Sequence, residues 1–101
     1  MLRHVNLLTW NDGTDQAAID RVSEYLSGYA ESIPEIRGLS FGSDLGLAER
    51  NMDFAIVVDF DDEEAFSRYL AHPAHDRLIT EFLRRILRAR QAAQFTFSQA
   101  P

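Results

Sequence analysis

The residues best suited to chemistry lie in two short strings, Tyr69-Leu70-Ala71-His72-Pro73-Ala74-His75 and His4-Val5-Asn6. Pro73 fits the first turn of a helix, which places His75 a few positions into it. A helix N-terminus disfavours an imidazolium, so His75 is expected to be neutral. A neutral imidazole takes a proton, which is what enolisation beside a carbonyl requires. Tyr69 comes just before the His-Pro corner. A phenol there suits hydrogen bonding to a substrate carbonyl and stabilising the enolate oxygen. His4, Asn6 and Leu8 alternate onto one strand face, and polar groups on a helix-covered face point to a pocket. A structural reading stands beside each of these: a corner or capping His, a core His held by one hydrogen bond, and a core Tyr.

Other constellations carry less. His72 and His75 form an H-x-x-H pair beside Asp76, but no third ligand is near, so no metal site is expected. Asp59, Asp61, Asp62, Glu63 and Glu64 read as a solvated helix start, because they lack the alternating oxygens of a calcium loop. Gly42-Ser43-Asp44-Leu45-Gly46 is neither a nucleophile elbow nor a phosphate loop. The chain has no Cys, which removes disulfides, thiolate nucleophiles and Cys-based metal centres. It also has no Lys, since all 10 basic residues are Arg. Schiff-base chemistry and lysine-anchored PLP are therefore excluded, and no cofactor is expected. A net charge of −6 argues against nucleic acid as a partner. No signal-peptide h-region or membrane-length apolar run is present, so a cytoplasmic protein without a membrane span is expected.

The elements that must position these residues fit one domain over residues 1–101, read as β-α-β-β-α-α-β. Leu2 to Thr9 is a strand, with Val5 and Leu7 on the face opposite His4. Asn11-Asp12-Gly13 is a turn, and Thr14 or Asp15 caps a helix with the stripe Ala18, Ile19, Val22, Leu26, Tyr29 and Ile33. A second strand runs from about Ile36 to Gly42. Asp53 to Phe60 is a third, apolar on both faces, which asks for cover on both sides. Asp61 and Glu64 have capping-box spacing before a short helix from Glu63 to Ala71. The helix from Pro73 is expected to carry Leu78, Ile79, Phe82, Leu83, Ile86 and Leu87 on one face and Glu81, Arg84, Arg85 and Arg88 on the other, the Arg residues late, where its dipole favours cations. A last strand is placed around Ala92 to Ser98. The order implies a four-stranded antiparallel sheet with helices on one face, an α+β ferredoxin-like fold. The second apolar sheet face implies a homodimer.

Strung together, Met1-Leu2-Arg3-His4-Val5, Ser32-Ile33-Pro34-Glu35-Ile36-Arg37, Phe41-Gly42-Ser43-Asp44, Phe60-Asp61-Asp62, the Tyr69 to His75 string and Phe95-Thr96-Phe97 resemble the stress-responsive A/B barrel domain (Dabb) family. The resemblance covers nearly the whole chain. It implies a monomer whose bare sheet face packs on a twin to make a dimeric α/β barrel. Its best-understood enzymatic members are plant polyketide cyclases that perform an intramolecular aldol condensation without a cofactor. By that resemblance Tyr69 and His75 are the catalytic pair and His4 lines the pocket; Asn6, Leu8, Leu26, His72 and Phe82 are expected beside it as further substrate-binding residues. The chain departs from the cyclase at Thr96, where the cyclase has a carboxylate, and at Leu26, where it has a Tyr. Three functions are compatible with this pattern: a cofactor-free binder or cyclase of a small aromatic or polyketone-like molecule, a non-enzymatic stress-related dimeric module, and a cofactor-free monooxygenase-like protein.

Overall fold

The computed structural model describes residues 1–98, so the last three residues of the expected domain lie outside it. The chain runs through β1 (Leu2–Trp10), α1 (Gln16–Ser27), the single turn α2 (Tyr29–Ser32), β2 (Gly38–Ser43), β3 (Phe54–Phe60), α3 (Glu63–Leu70), α4 (Pro73–Arg77), a π-helical turn (Leu78–Leu83) and β4 (Leu87–Thr96). The strands form one antiparallel sheet in the order β2-β3-β1-β4. This is the ferredoxin-like arrangement expected from the sequence. Among the described residues no helix is long and apolar enough to cross a membrane.

Strand alternation sorts the residues onto two faces. Leu2, His4, Asn6, Leu8 and Trp10 of β1 face the helices, as do Phe54, Ile56, Val58 and Phe60 of β3. Val22 and Leu26 of α1, with Tyr29 and Ile33 beyond it, close the core above them. α1 and α3 start where short acidic side chains satisfy free backbone amides. Asp15 Oδ1 accepts from Ala18 N at 2.9 Å. At α3 the capping residue is Asp62, accepting from Ala65 N at 2.8 Å, and not Asp61, which pairs with Arg37. Gly13 takes a positive φ of 79° in the turn after β1, a conformation that costs glycine little. The opposite sheet face carries Val5, Leu7, Ala55, Val57, Ala93 and Phe95, and an Arg3–Asp59 pair with bonds of 2.8 and 2.9 Å closes one end of it.

The last third departs from the expected helix. It ends at Leu83, and Leu87 already pairs with Trp10 as the start of β4. The π turn is closed by Arg84 N donating to Ile79 O at 2.9 Å, five residues back. That extra residue per turn ends the α-helical register, so Arg84 and Arg85 fall in a turn and Arg88 on a strand. Their placement at a helix C-terminus is therefore corrected. β2 also starts two residues later than expected, at Gly38.

Candidate functional site

A cavity of about 480 Å³ opens between the sheet and the segment from α3 to the π turn. That volume falls within the roughly 300–1,000 Å³ range of small-molecule sites. Its polar side is made by His4, Asn6, Tyr69, His75 and Arg90. Its apolar wall includes Leu8, Ile56, Leu78, Leu83 and Leu87. The π turn sets part of this wall. Leu78 and Leu83, and likewise Ile79 and Arg84, are five apart, and the wider turn brings both pairs to the cavity.

The structure brings together His4, Asn6, Leu8, Tyr69 and His75 and leaves three expected lining residues outside. Leu26 is fully buried in the core under α1. His72 is the N-cap of α4, its Nδ1 accepting from Ala74 N at 3.0 Å, so the two histidines of the H-x-x-H pair do different work. Phe82 turns toward α1 and stacks on Tyr25 with ring centroids 4.5 Å apart. The phase change at the π turn is the reason. In an unbroken α-helix Phe82 would sit on the same face as Leu78 and Ile79.

Tyr69 is held at the base of the site. Its hydroxyl accepts from the hydroxyl of Tyr29 at 3.0 Å, and its ring lies 4.7 Å from that of His75. The Tyr69 proton is left free for an acceptor in the cavity. Burial raises the pKa of Tyr69 above its ordinary value, the Tyr29 bond and the charge of Arg90 partly opposing, so the phenol is protonated near neutrality. The pKa of His75 lies below its ordinary value. Burial is the main cause, the Leu70 backbone carbonyl pulls the other way, and Arg90 lowers it further. The expectation of a neutral His75 thus acquires a different leading cause, desolvation rather than the helix dipole.

His4 is 2% exposed and held at both ring nitrogens. Arg90 Nε donates to Asn6 Oδ1 at 2.7 Å. Because a guanidinium only donates, this bond fixes the Asn6 amide with its NH₂ toward His4 Nε2, 2.7 Å away. His4 Nε2 therefore accepts, and Nδ1 carries the proton. Gln94 contacts Nδ1 at 2.8 Å through its side-chain amide, which presents its oxygen there after a half-turn about its last bond. The chain Arg90–Asn6–His4–Gln94 admits one neutral tautomer. A protonated His4 would set an N–H against the Asn6 NH₂. Burial first, then the charges of Arg90 and His75, pull its pKa down to about 4.

Arg84, Arg90 and Gln94 did not emerge from the sequence as site residues. Arg90 and Gln94 stand opposite Leu8 and His4 in the β1–β4 register. A strand begun at Leu87 would have exposed that alternation.

A sequence model of the stress responsive A/B barrel domain matches residues 2–97. The chain is similar to the stress-response A/B barrel domain-containing protein HS1 of Arabidopsis thaliana, with 28% identity over 87 residues, 81% of this chain and 77% of HS1. A dimeric ferredoxin-like protein of unknown function from Thermobifida fusca superposes with a TM-score of 0.88 at 38% identity, covering 95% of this chain and 90% of that one. A hydroxynitrile lyase from Passiflora edulis shares the fold at a TM-score of 0.83 and 16% identity, over 98% of this chain and 94% of the lyase. With the matching domain spanning β1 through β4, the chain belongs to the stress responsive A/B barrel domain family.

Proposed function

We propose that the protein is a homodimer that binds a small aromatic or polyketone-like carbonyl compound in the cavity and removes a proton beside the carbonyl without a cofactor. Tyr69 and His75 are the acting pair. The neutral imidazole of His75 takes the carbon-bound proton, and the Tyr69 hydroxyl donates to the carbonyl as it becomes an enolate. The Tyr29 hydroxyl, donating into Tyr69, strengthens that donor. Attack of such an enolate on a second carbonyl of the same molecule is the aldol step of a cyclase. The observation that carries this reading is the 4.7 Å packing of a neutral His75 against a protonated Tyr69 within one cavity. The Passiflora neighbour, a hydroxynitrile lyase, is an enzyme on the same fold, which supports a catalytic reading. The apolar outer sheet face and the dimeric Thermobifida fusca relative support the dimer.

A second reading is favoured by one fact. Among the described residues every buried side-chain nitrogen and oxygen has at least one hydrogen-bond partner in the protein. A stress-related module with structural His and Tyr would look the same. Deuterium exchange at the α-carbon of acetophenone in heavy water, followed by NMR, separates the two. Catalysed exchange lost in a folded His75→Ala variant supports the enzyme. Equal exchange in both proteins and in buffer supports the module.

A further inference from the structure

We propose that the ligand of this cavity carries a carboxylate and that Arg90, assisted by Arg84, seats it. The inference rests on the pocket reading above and narrows it to acidic carbonyl compounds.

The chain has 16 acidic residues against 10 arginines. Among the described residues Arg3, Arg37, Arg68, Arg77 and Arg88 each pair with a carboxylate. The two arginines that line the cavity are not among them, and no Asp or Glu lines it with them. In so acidic a protein, two arginines in a cavity lining that holds no carboxylate form a local positive site, with Asp76, beside His75, the acidic group felt there. The other titratable lining groups are His4, Tyr69 and His75, all neutral near pH 7, so none offsets that charge.

The geometry of Arg90 is specific. Its Nε is committed to Asn6 Oδ1 at 2.7 Å, which ties the otherwise exposed guanidinium to a buried cavity residue. The two terminal nitrogens have no partner among the described residues. They present the end-on pair of donors that a carboxylate accepts bidentately. Arg84 reaches the cavity from the other side through the π turn. Leu8, Leu87, Tyr69 and His75 line the same cavity as Arg90, so one small acidic carbonyl compound can meet the apolar wall, the Tyr69–His75 pair and the guanidinium together. A seated anion also orients the carbon acid toward its base, which is where binding energy contributes to rate.

The test is calorimetric binding of three matched pairs, benzoylformate, phenylpyruvate and 3-benzoylpropionate, each against its primary amide. The wild type should bind at least one acid about tenfold or more tighter than its amide, the scale of a charge-assisted hydrogen bond. Arg90→Gln should abolish that preference while leaving amide affinity within about twofold, which shows the cavity intact, and Arg84→Gln should weaken it. Equal affinity for acid and amide in the wild type, or a preference that survives Arg90→Gln, overturns the anchor and leaves the pocket standing. Binding of neither member of any pair overturns the pocket reading and the anchor with it.

Discussion

His4 makes the fold sensitive to acid, and the size of the effect follows from its surroundings. The folded ring titrates at about 4 rather than at its ordinary 6.5. An unfolded chain therefore binds a proton at His4 as the pH falls through 6.5, while the folded chain refuses it until about 4. Protons bound preferentially by the unfolded state lower stability as the pH falls. The loss is confined to that window and is flat above it. At roughly 1.4 kcal/mol for each pH unit separating the two pKa values, His4 alone accounts for about 3 kcal/mol between neutral pH and pH 4. His75 acts in the same direction, and surface carboxylates titrate at the acid end, so the quantity to read is a difference. Urea denaturation from pH 7 to pH 4, at one fixed protein concentration, is compared for the wild type and His4→Gln. The variant starts less stable, having lost the Asn6 and Gln94 contacts, but should lose about 3 kcal/mol less on acidification. Parallel curves would refute the locked neutral tautomer. So would an NMR titration of the folded protein placing the His4 ring near 6.5.

Tyr69→Phe leaves the buried Tyr29 hydroxyl without its acceptor, and a stability loss of about 1–3 kcal/mol is expected by urea denaturation. A change below about 0.5 kcal/mol would show that the hydroxyl pair is not a structural contact. Asp62→Ala should cost about 1 kcal/mol through the lost α3 cap, whereas Asp61→Ala, at an exposed ion pair, should cost much less. Val57→Glu places a charge in the middle of the outer sheet face. Light scattering after size exclusion should show two chains per particle for the wild type and one for the variant, and a monomeric wild type would refute the dimer.

The fold was legible where hydrophobic period and element type agreed. β3 is a short run rich in β-branched and aromatic residues, α1 carries an apolar stripe, and Asn11-Asp12-Gly13 marks the turn between β1 and α1. The failure at β4 has a local cause. Leu87-Arg88-Ala89-Arg90-Gln91 has no β-branched or aromatic residue, and each of its residue types favours a helix. Only pairing with β1 makes it a strand, and that is a tertiary fact. Losing the strand start meant losing Arg90, which fixes Asn6; Gln94, the partner of His4, fell inside the expected strand but was not singled out there. His4, Asn6 and Leu8 were recoverable because one alternation places them together. Tyr69 and His75 were singled out by residue chemistry and by family resemblance. Leu26, His72 and Phe82 were misplaced because side-chain direction depends on helix phase and capping geometry, which composition does not encode.

That phase has an evolutionary corollary. A π turn is an α-helix holding one surplus residue. Were this segment to wind as an ordinary α-helix with no residue lost, its downstream end would be rotated by one residue's worth of turn, roughly 100°. Leu83 and Arg84 would swing off the cavity together, one taking away apolar wall and the other charge. The hinge lies outside the β-ladder, so the sheet would be spared. The choice of π over α winding in this segment is therefore a coarse dial on what the domain accommodates, and lineages descended from a common barrel need not have changed their sheets to have changed their ligands.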